Sequence, residues 1–401
     1  MTTQSELVFD PFSDEFYADP HTLFRRLRDE APVYYNEDLD FYALTRHKDV
    51  ASAYKDFKTY SSTAGLDLAM VKSGQEAPKM IVFMDPPEHG RMRGLLNKAF
   101  TPRAIQSQRE TVTELVQRCL SMVDPRQFDA VQQFAAPLAM DVVARMAGVP
   151  EQFAQQVRLW TDQAIGYQPG QLERDWVDME AALNILTGYH DLVQQRREQP
   201  NDDMISKLTA AEIIRDDGET ARLEDHEIAL FAVLLSAAGT QTVARMLGNA
   251  VAVFAEHTDQ WQKLADDRSK IPAAVEELLR FEGPVLYNVR CTLKEVTLYG
   301  VTIPAGKPVF LCGASANRDS DAFADPDTFD IDRDQTPAQH IALGYGTHTC
   351  LGAQLARMEI AIAVEHLLDF MPRYEVIWKD CKRVNATNLA GWSHLPVRVM
   401  R

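Results

Sequence analysis

Cysteine is scarce in this chain. Five occur, at positions 119, 291, 312, 350 and 381, an odd number at wide spacing. No Cys-x-x-Cys and no His/Cys zinc spacing appears among them. A disulfide framework and a thiolate zinc site are therefore not expected. Long apolar runs are also lacking. The longest, residues 228–239, falls short of the ~20 residues that cross a bilayer, so no membrane anchor is expected. The first 19 residues have neither the basic start nor the apolar stretch of a secretory signal. Basic residues are in deficit, 41 against 58 acidic, which leaves a net charge of −17. Such a field repels phosphate backbones and argues against nucleic acid as a partner. It still leaves room for a local basic patch facing an acidic protein. The combined expectation is a cytoplasmic protein.

What is present is enough apolar material for a sizeable core, 46% of the chain, arranged mostly in helical periods. Residues 33–35 and 41–45 flank an acidic turn and predict a hairpin. Residues 61–83 show no periodicity and predict a long loop. A helix is expected over 85–99 and others up to about residue 197, with surface connections at 198–203 and 215–224. Residues 225–256 predict a helix about 48 Å long at ~1.5 Å per residue, apolar on nearly every face in its first half and so interior. Further helices are predicted over 271–281 and 351–370, with short strands between 285 and 310. A polar, turn-rich stretch covers 319–342, and a strand pair turning at Gly391 covers 385–399. No composition shift marks a linker, so one domain over residues 1–401 is expected.

The segment Leu343-Gly-Tyr-Gly-Thr-His-Thr-Cys350-Leu-Gly352 is the most informative. Gly344 and Gly346 permit a tight turn and close approach to a flat ligand. The cysteine stands at the mouth of a helix, whose free amides favour thiolate over thiol and can tune a bound metal. A lone cysteine after a loop is ordinarily a packing residue; the ten-residue pattern sets this one apart. The segment resembles the haem-binding loop of the cytochrome P450 family, Phe-Gly-x-Gly-x-His-x-Cys-x-Gly. It departs only at Leu343, where the family has Phe. The resemblance makes Cys350 the axial thiolate ligand of haem b (iron protoporphyrin IX). It implies a mainly α fold with small β-sheets, the haem lying between a long central helix and the cysteine-loop helix.

Other segments fit the same resemblance, in family order. Glu277-Leu-Leu-Arg280 puts two charges on one helix face, which alone reads as a surface pair. In the family this motif is a buried structural pair, with Arg333 a candidate third member here. Ala237-Ala238-Gly-Thr-Gln241-Thr242 places small residues and a helix-bending threonine in mid-helix, which alone reads as packing. It resembles the oxygen-activation motif Ala-Gly-x-Asp/Glu-Thr, with Gln241 in the acidic position. An amide can orient water but cannot lose a proton near pH 7. The expectation is that Thr242 and ordered water carry protons from solvent, with slower turnover or more peroxide leakage. His89 and Arg93, four apart on one helix face, resemble the helix that holds the haem propionates, and Arg290 and His348 match two further propionate contacts.

By matching positions, the substrate pocket is expected to draw on Ile81, Val82, Leu234, Ala237, Ala238, Val285, Leu286, Asn388 and Leu389. The set is mostly apolar and points to a hydrophobic substrate. The resemblance implies a monooxygenase that inserts one oxygen atom from O2. Its electrons would come from a separate ferredoxin and an NAD(P)H-dependent ferredoxin reductase, docked near Arg357. Two alternatives stay open on the sequence: peroxide-driven or non-hydroxylating chemistry on the same fold, and a haem protein that senses without turnover.

Overall fold

The structure is a computed structural model that describes residues 7–165, 176–214, 220–384 and 388–400. Helices dominate, and small sheets carry the remainder. The predicted hairpin forms as Val33–Asn36 and Phe41–Leu44, antiparallel, with Val33 opposite Leu44. Its second strand joins Pro308–Leu311 in parallel. Asn288–Thr292 and Tyr60–Ser61 complete a five-stranded sheet. One set of apolar residues around this sheet is aromatic, with Phe9, Phe24, Phe41, Tyr287 and Phe310 packed together. A second set, Val50, Tyr54, Leu311 and Ile341, has Tyr345 packed against it. Ile341 and Tyr345 bracket the start of the glycine loop, so this cluster anchors the loop to the sheet.

The central helix spans Asp225–Glu256, the range expected from the sequence. Glu224 and Glu227 close a reciprocal capping box at its start. It runs through the largest core cluster and packs against Ala136–Ala147, Trp176–Glu198, Ile271–Glu282 and Ala353–Phe370. Here the sequence argument needs correction. An 18-residue window of this helix has mean hydropathy 1.5, so by length and composition it is apolar enough to cross a membrane. Polar residues that break its apolar runs, Thr240, Gln241, Arg245 and Asn249, are buried inside the fold.

Other boundaries shift for local reasons. The stretch 61–83 holds a helix, Leu68–Ser73, capped by Asp67 and ended by Gly74 in the left-handed region. Six residues are too few for a helical period to show. The helix expected over 85–99 is Glu88–Leu96. Asp85 stays outside it, and its carboxylate accepts from Ser61 Oγ at 2.6 Å and Ser62 N at 3.1 Å. The last helix is Ala353–Phe370. The C-terminal pair is split: Lys382–Arg383 pairs with Trp392–His394, while Pro396–Val399 pairs with Tyr374–Val376 and Phe128–Asp129. Residues 385–387, inside the predicted pair, and 215–219, inside a predicted connection, lie outside the described residues.

Candidate active site

Backbone hydrogen bonds build the cysteine loop. Ile341 N donates to Asn317 Oδ1 at 2.8 Å, and Gly344 N to Ile341 O at 3.0 Å. Cys350 N donates back to Leu343 O at 2.7 Å, closing the loop on itself. Thr349 Oγ1 donates to Gly346 O at 2.8 Å. Gly346 has φ +68°, and a Cβ there would lie 2.8 Å from Tyr54 O and 3.2 Å from Lys55 Cα. Those neighbours are backbone and cannot yield, so only glycine fits.

Cys350 lies between two connected cavities. The larger faces the central helix and is lined by Ile81, Val82, Phe100, Val143, Phe231, Leu234, Leu235 and Ala238 among others. The smaller is lined by Leu279, Val285, Asn288, Leu343 and Gly344 among others. Thr242, Val243, His348, Cys350 and Ala356 line both, so the two spaces form one slot with the sulfur on its wall. Burial pushes the Cys350 thiol above its ordinary range, while the Gly352 amide, Arg93 and Arg357 favour its thiolate. A coordinated metal outweighs this balance, because a ligating thiol is deprotonated outright.

One edge of the slot collects hydrogen-bond donors. His89 is 2% exposed, its Nε2 has no hydrogen-bond partner, and it lines the larger cavity with Arg93. The His348 ring lies 4.3 Å from that of His89, and its Nε2 is 3.2 Å from Ser62 Oγ. Arg290 stands behind them, buried, donating to Val289 O at 2.8 Å and stacked on Tyr54. Burial holds His89, Arg93 and Arg290 below their ordinary values. Burial, then Arg290 and His89, push His348 down to about 3. This is a cluster of donors on which acidic groups act weakly: Asp85 attracts His89, Tyr54 and Asp85 attract Arg290, and Cys350 attracts Arg93. A flat cofactor carrying two carboxylates and a metal suits it: carboxylates for the donors, metal for the sulfur, slot for the plane. The residues present therefore fit a haem.

Thr242 faces the slot and donates Oγ1 to Ala238 O at 2.6 Å; Thr240 makes the same back-bond to Ser236 O at 2.6 Å. Gln241 does not face the slot. It is buried, and its Oε1 accepts from Arg245 Nη2 at 2.7 Å, while Arg245 Nη1 donates to Trp392 O at 3.0 Å. One residue along a helix is a turn of about 100°, which carries position 241 off the face that holds Thr242. The expected water-orienting role of Gln241 in the cavity is corrected accordingly.

Four predicted pocket residues are not among those lining either cavity. Ala237 is rotated off the face of Ala238. Leu286 is buried in the aromatic cluster of the sheet. Asn388 donates Nδ2 to Tyr287 O at 2.9 Å, and Leu389 packs with Val384 and Val285. Sequence reasoning missed Phe231 and Leu235, although Phe231, Leu234, Leu235, Ala238 and Thr242 form one stripe of period 3.6. It also missed Phe100, Val143 and Glu359, which arrive from other helices with no local signal.

Residues 126–376 match the sequence model of the family described as Cytochrome P450. The chain belongs to the cytochrome P450 family. A putative cytochrome P450 123 of Mycobacterium tuberculosis is 38% identical over 98% of this chain and 97% of its own length. The vitamin D(3) 25-hydroxylase of Pseudonocardia autotrophica is 34% identical over 99% and 98%. A Bacillus megaterium P450 solved with testosterone superposes with TM-score 0.86 at 29% identity, covering 97% of this chain and all of that one. The mainly helical P450 fold, a haem-thiolate cofactor and monooxygenase chemistry follow from this membership.

Two supports of the P450 site extend behind the loop. Glu277 and Arg280 are 1% and 3% exposed and joined by two bonds of 2.8 Å. Arg333 Nε adds a third at 3.0 Å, and Arg280 also donates to Asn317 O and Pro326 O at 2.9 and 2.8 Å. The motif thus ties its helix to the polar stretch that leads into the cysteine loop. Arg357, expected at a docking surface, is engaged elsewhere. It grips Glu276 at 2.5 and 2.8 Å, and His340 holds the same carboxylate at 3.0 Å. Burial alone would raise Glu276, but these partners bring it to about 2.

Proposed function

We propose that this P450 inserts one oxygen atom from O2 into a C–H or C=C bond of a hydrophobic small molecule. The observation that carries the reading is the apolar wall of the larger cavity, on the Thr242 side of Cys350. Cys350 would ligate the iron of haem b. His89, Arg93 and His348 would hold its carboxylates, with Arg290 behind them. Gly344 would keep the backbone clear of the ring, and Ala238 would leave room for it. When bound, the haem-thiolate supplies dioxygen activation at the expense of two electrons and two protons. Thr242 holds a hydroxyl at that side, while Ile81, Val82, Phe231, Leu234 and Leu235 orient an apolar substrate and exclude water. Val285 borders the adjoining space. Relatives named for vitamin D(3) and solved with testosterone support an apolar ligand of this kind.

The electrons come from a separate ferredoxin and its NAD(P)H-dependent reductase, in the cytoplasm, acting on a single domain over residues 1–401. A groove beside the cysteine helix, lined by Ile105, Arg109, Gln354 and Arg357, supports an acidic partner there. The test begins with a ferrous–CO spectrum and a type-I shift screen against sterols, fatty acids and polyketides. Product analysis then compares NAD(P)H plus redox partners with peroxide alone. The expected result is a thiolate-type Soret band, shifts with apolar compounds, and hydroxylated or epoxidised product in the partner-driven arm. No thiolate-type band, or product with peroxide alone, overturns the reading.

A further inference from the structure

A separate cleft lies where the ends of two helices meet, the central helix and Ile271–Glu282, beside the start of Pro20–Glu30 and the strand pair Lys382–Arg383 and Trp392–His394. None of its lining residues lines the slot. Two acceptors on its wall are unused. Asn249 is 1% exposed, and its Nδ2 donates to Glu282 O at 2.9 Å. That bond fixes the amide and leaves Oδ1 buried with no partner. His21 Nε2 faces the Glu282 carboxylate at 3.1 Å, so in the neutral ring Nδ1 is a bare lone pair. It too is buried without a partner. Buried acceptors left bare are costly, so both call for a donor. Charge points the same way. Three carboxylates line the cleft, Asp19, Glu256 and Glu282, against one guanidinium, Arg383. Asp19 caps Pro20–Glu30, and His21 and Arg318 hold Glu282. Glu256 pairs with no cation among the described residues. It closes the central helix, whose last turn has no basic residue, so the carbonyl end adds partial negative charge. Indoles form one wall. Trp378 is 44% exposed and 5.8 Å from Trp392, over which Arg383 lies at 3.9 Å.

We propose that this cleft is a second ligand site, apart from the haem slot, and that it takes a small organic cation of the guanidinium class. Its N–H groups donate to Asn249 Oδ1 and His21 Nδ1. Its plane lies on Trp378, as Arg383 lies over Trp392, and Glu256 balances its charge. Other ligand classes fit less well. An anion meets three carboxylates and one arginine. An apolar molecule leaves both acceptors bare. A guanidinium is planar and delocalised and carries five donors in a fixed fork, so one group can stack and serve both acceptors. Binding here moves no electron or proton. It is recognition at a site of its own, and it stands independently of the oxygen chemistry proposed for the slot.

The test titrates the full haem-loaded protein by calorimetry with three compounds of similar shape, while the Soret band is recorded. Benzylguanidinium brings charge and donors, benzylurea brings donors without charge, and benzyltrimethylammonium brings charge without donors. Benzylguanidinium is expected to bind roughly tenfold tighter than either of the others, with the Soret band unmoved. Its affinity is expected to fall by roughly fivefold in Glu256→Gln and in Trp378→Ala. Trp378 is exposed and Glu256 only half-buried, so neither change threatens the fold. No binding of benzylguanidinium overturns the proposal, as does equal binding of benzylurea. Equal binding of benzyltrimethylammonium overturns the role of the two acceptors. A Soret shift that tracks the titration places the compound in the haem slot instead. Unchanged affinity in both variants places it elsewhere on the protein. Either result removes the cleft as a site.

Discussion

At position 346 a side chain has nowhere to go. A Cβ would press on the backbone of Tyr54 and Lys55, and φ is +68°. Gly346→Ala is expected to cost about 1–3 kcal/mol in backbone strain alone. Because the loop carries Cys350, the first sign should be a lower ferrous–CO band per mole of protein, followed by a lower melting temperature. Gln241 makes a different case at the same scale. The family's acid would sit at this position, yet the side chain here is turned to Arg245 and away from the cavity. Gln241→Glu exchanges an amide–guanidinium bond for an ion pair at the same place. Product per O2 consumed is expected to stay within about twofold of wild type, a change of under ~0.5 kcal/mol in the partition. A several-fold gain in coupling, measured by oxygen electrode against product, would mean the side chain does reach the cavity.

Elements here are joined by half-buried charge. The C-terminal end of helix Ile271–Glu282 meets the first turn of Pro20–Glu30 through Glu282, which accepts from His21 Nε2 at 3.1 Å and Arg318 Nη2 at 3.3 Å. Burial works to raise Glu282, but His21, Arg318 and Arg383 bring it down to about 2, from an ordinary 4.5. The sign follows from that depression. The unfolded chain binds a proton near pH 4.5 while the folded one still resists it, so the contribution is full above 4.5. It is lost as pH falls toward about 2. Urea midpoints measured between these limits should fall with pH in wild type, and the fall should be shallower in Glu282→Gln. An identical slope in both would show that the tie between the helices does not depend on this charge.

At the scale of the whole molecule, net charge opposes the proposed docking. The net charge of −17 repels an acidic ferredoxin in general, so docking needs a local exception. Arg357 is largely spent on Glu276. Arg109, exposed on the same groove, is the better candidate. Arg109→Glu is expected to slow reduction by ferredoxin by roughly tenfold at low salt and by less at high salt, where charges are screened. Stopped-flow reduction across a salt series would show this, and equal rates for variant and wild type would remove Arg109 from the docking surface.

The sequence by itself determined the parts that depend on neighbours along the chain. The central helix could be read to its ends because its 32 residues, apolar on nearly every face in the first half, contain no proline to break them. The cysteine loop could be read because its chemistry is contiguous: glycines for the turn, then the sulfur, then the helix. Short elements such as Leu68–Ser73 could not, since one or two turns carry no period. Which way a side chain points was decided only by the tertiary structure. Leu286 went into the aromatic cluster, and Arg357 was taken by Glu276. Glu359 became a cavity acid only when the cysteine helix packed beside the central one. Periodicity selects a face of a helix, but the partner on that face comes from residues far away in sequence, and burial then sets the chemistry.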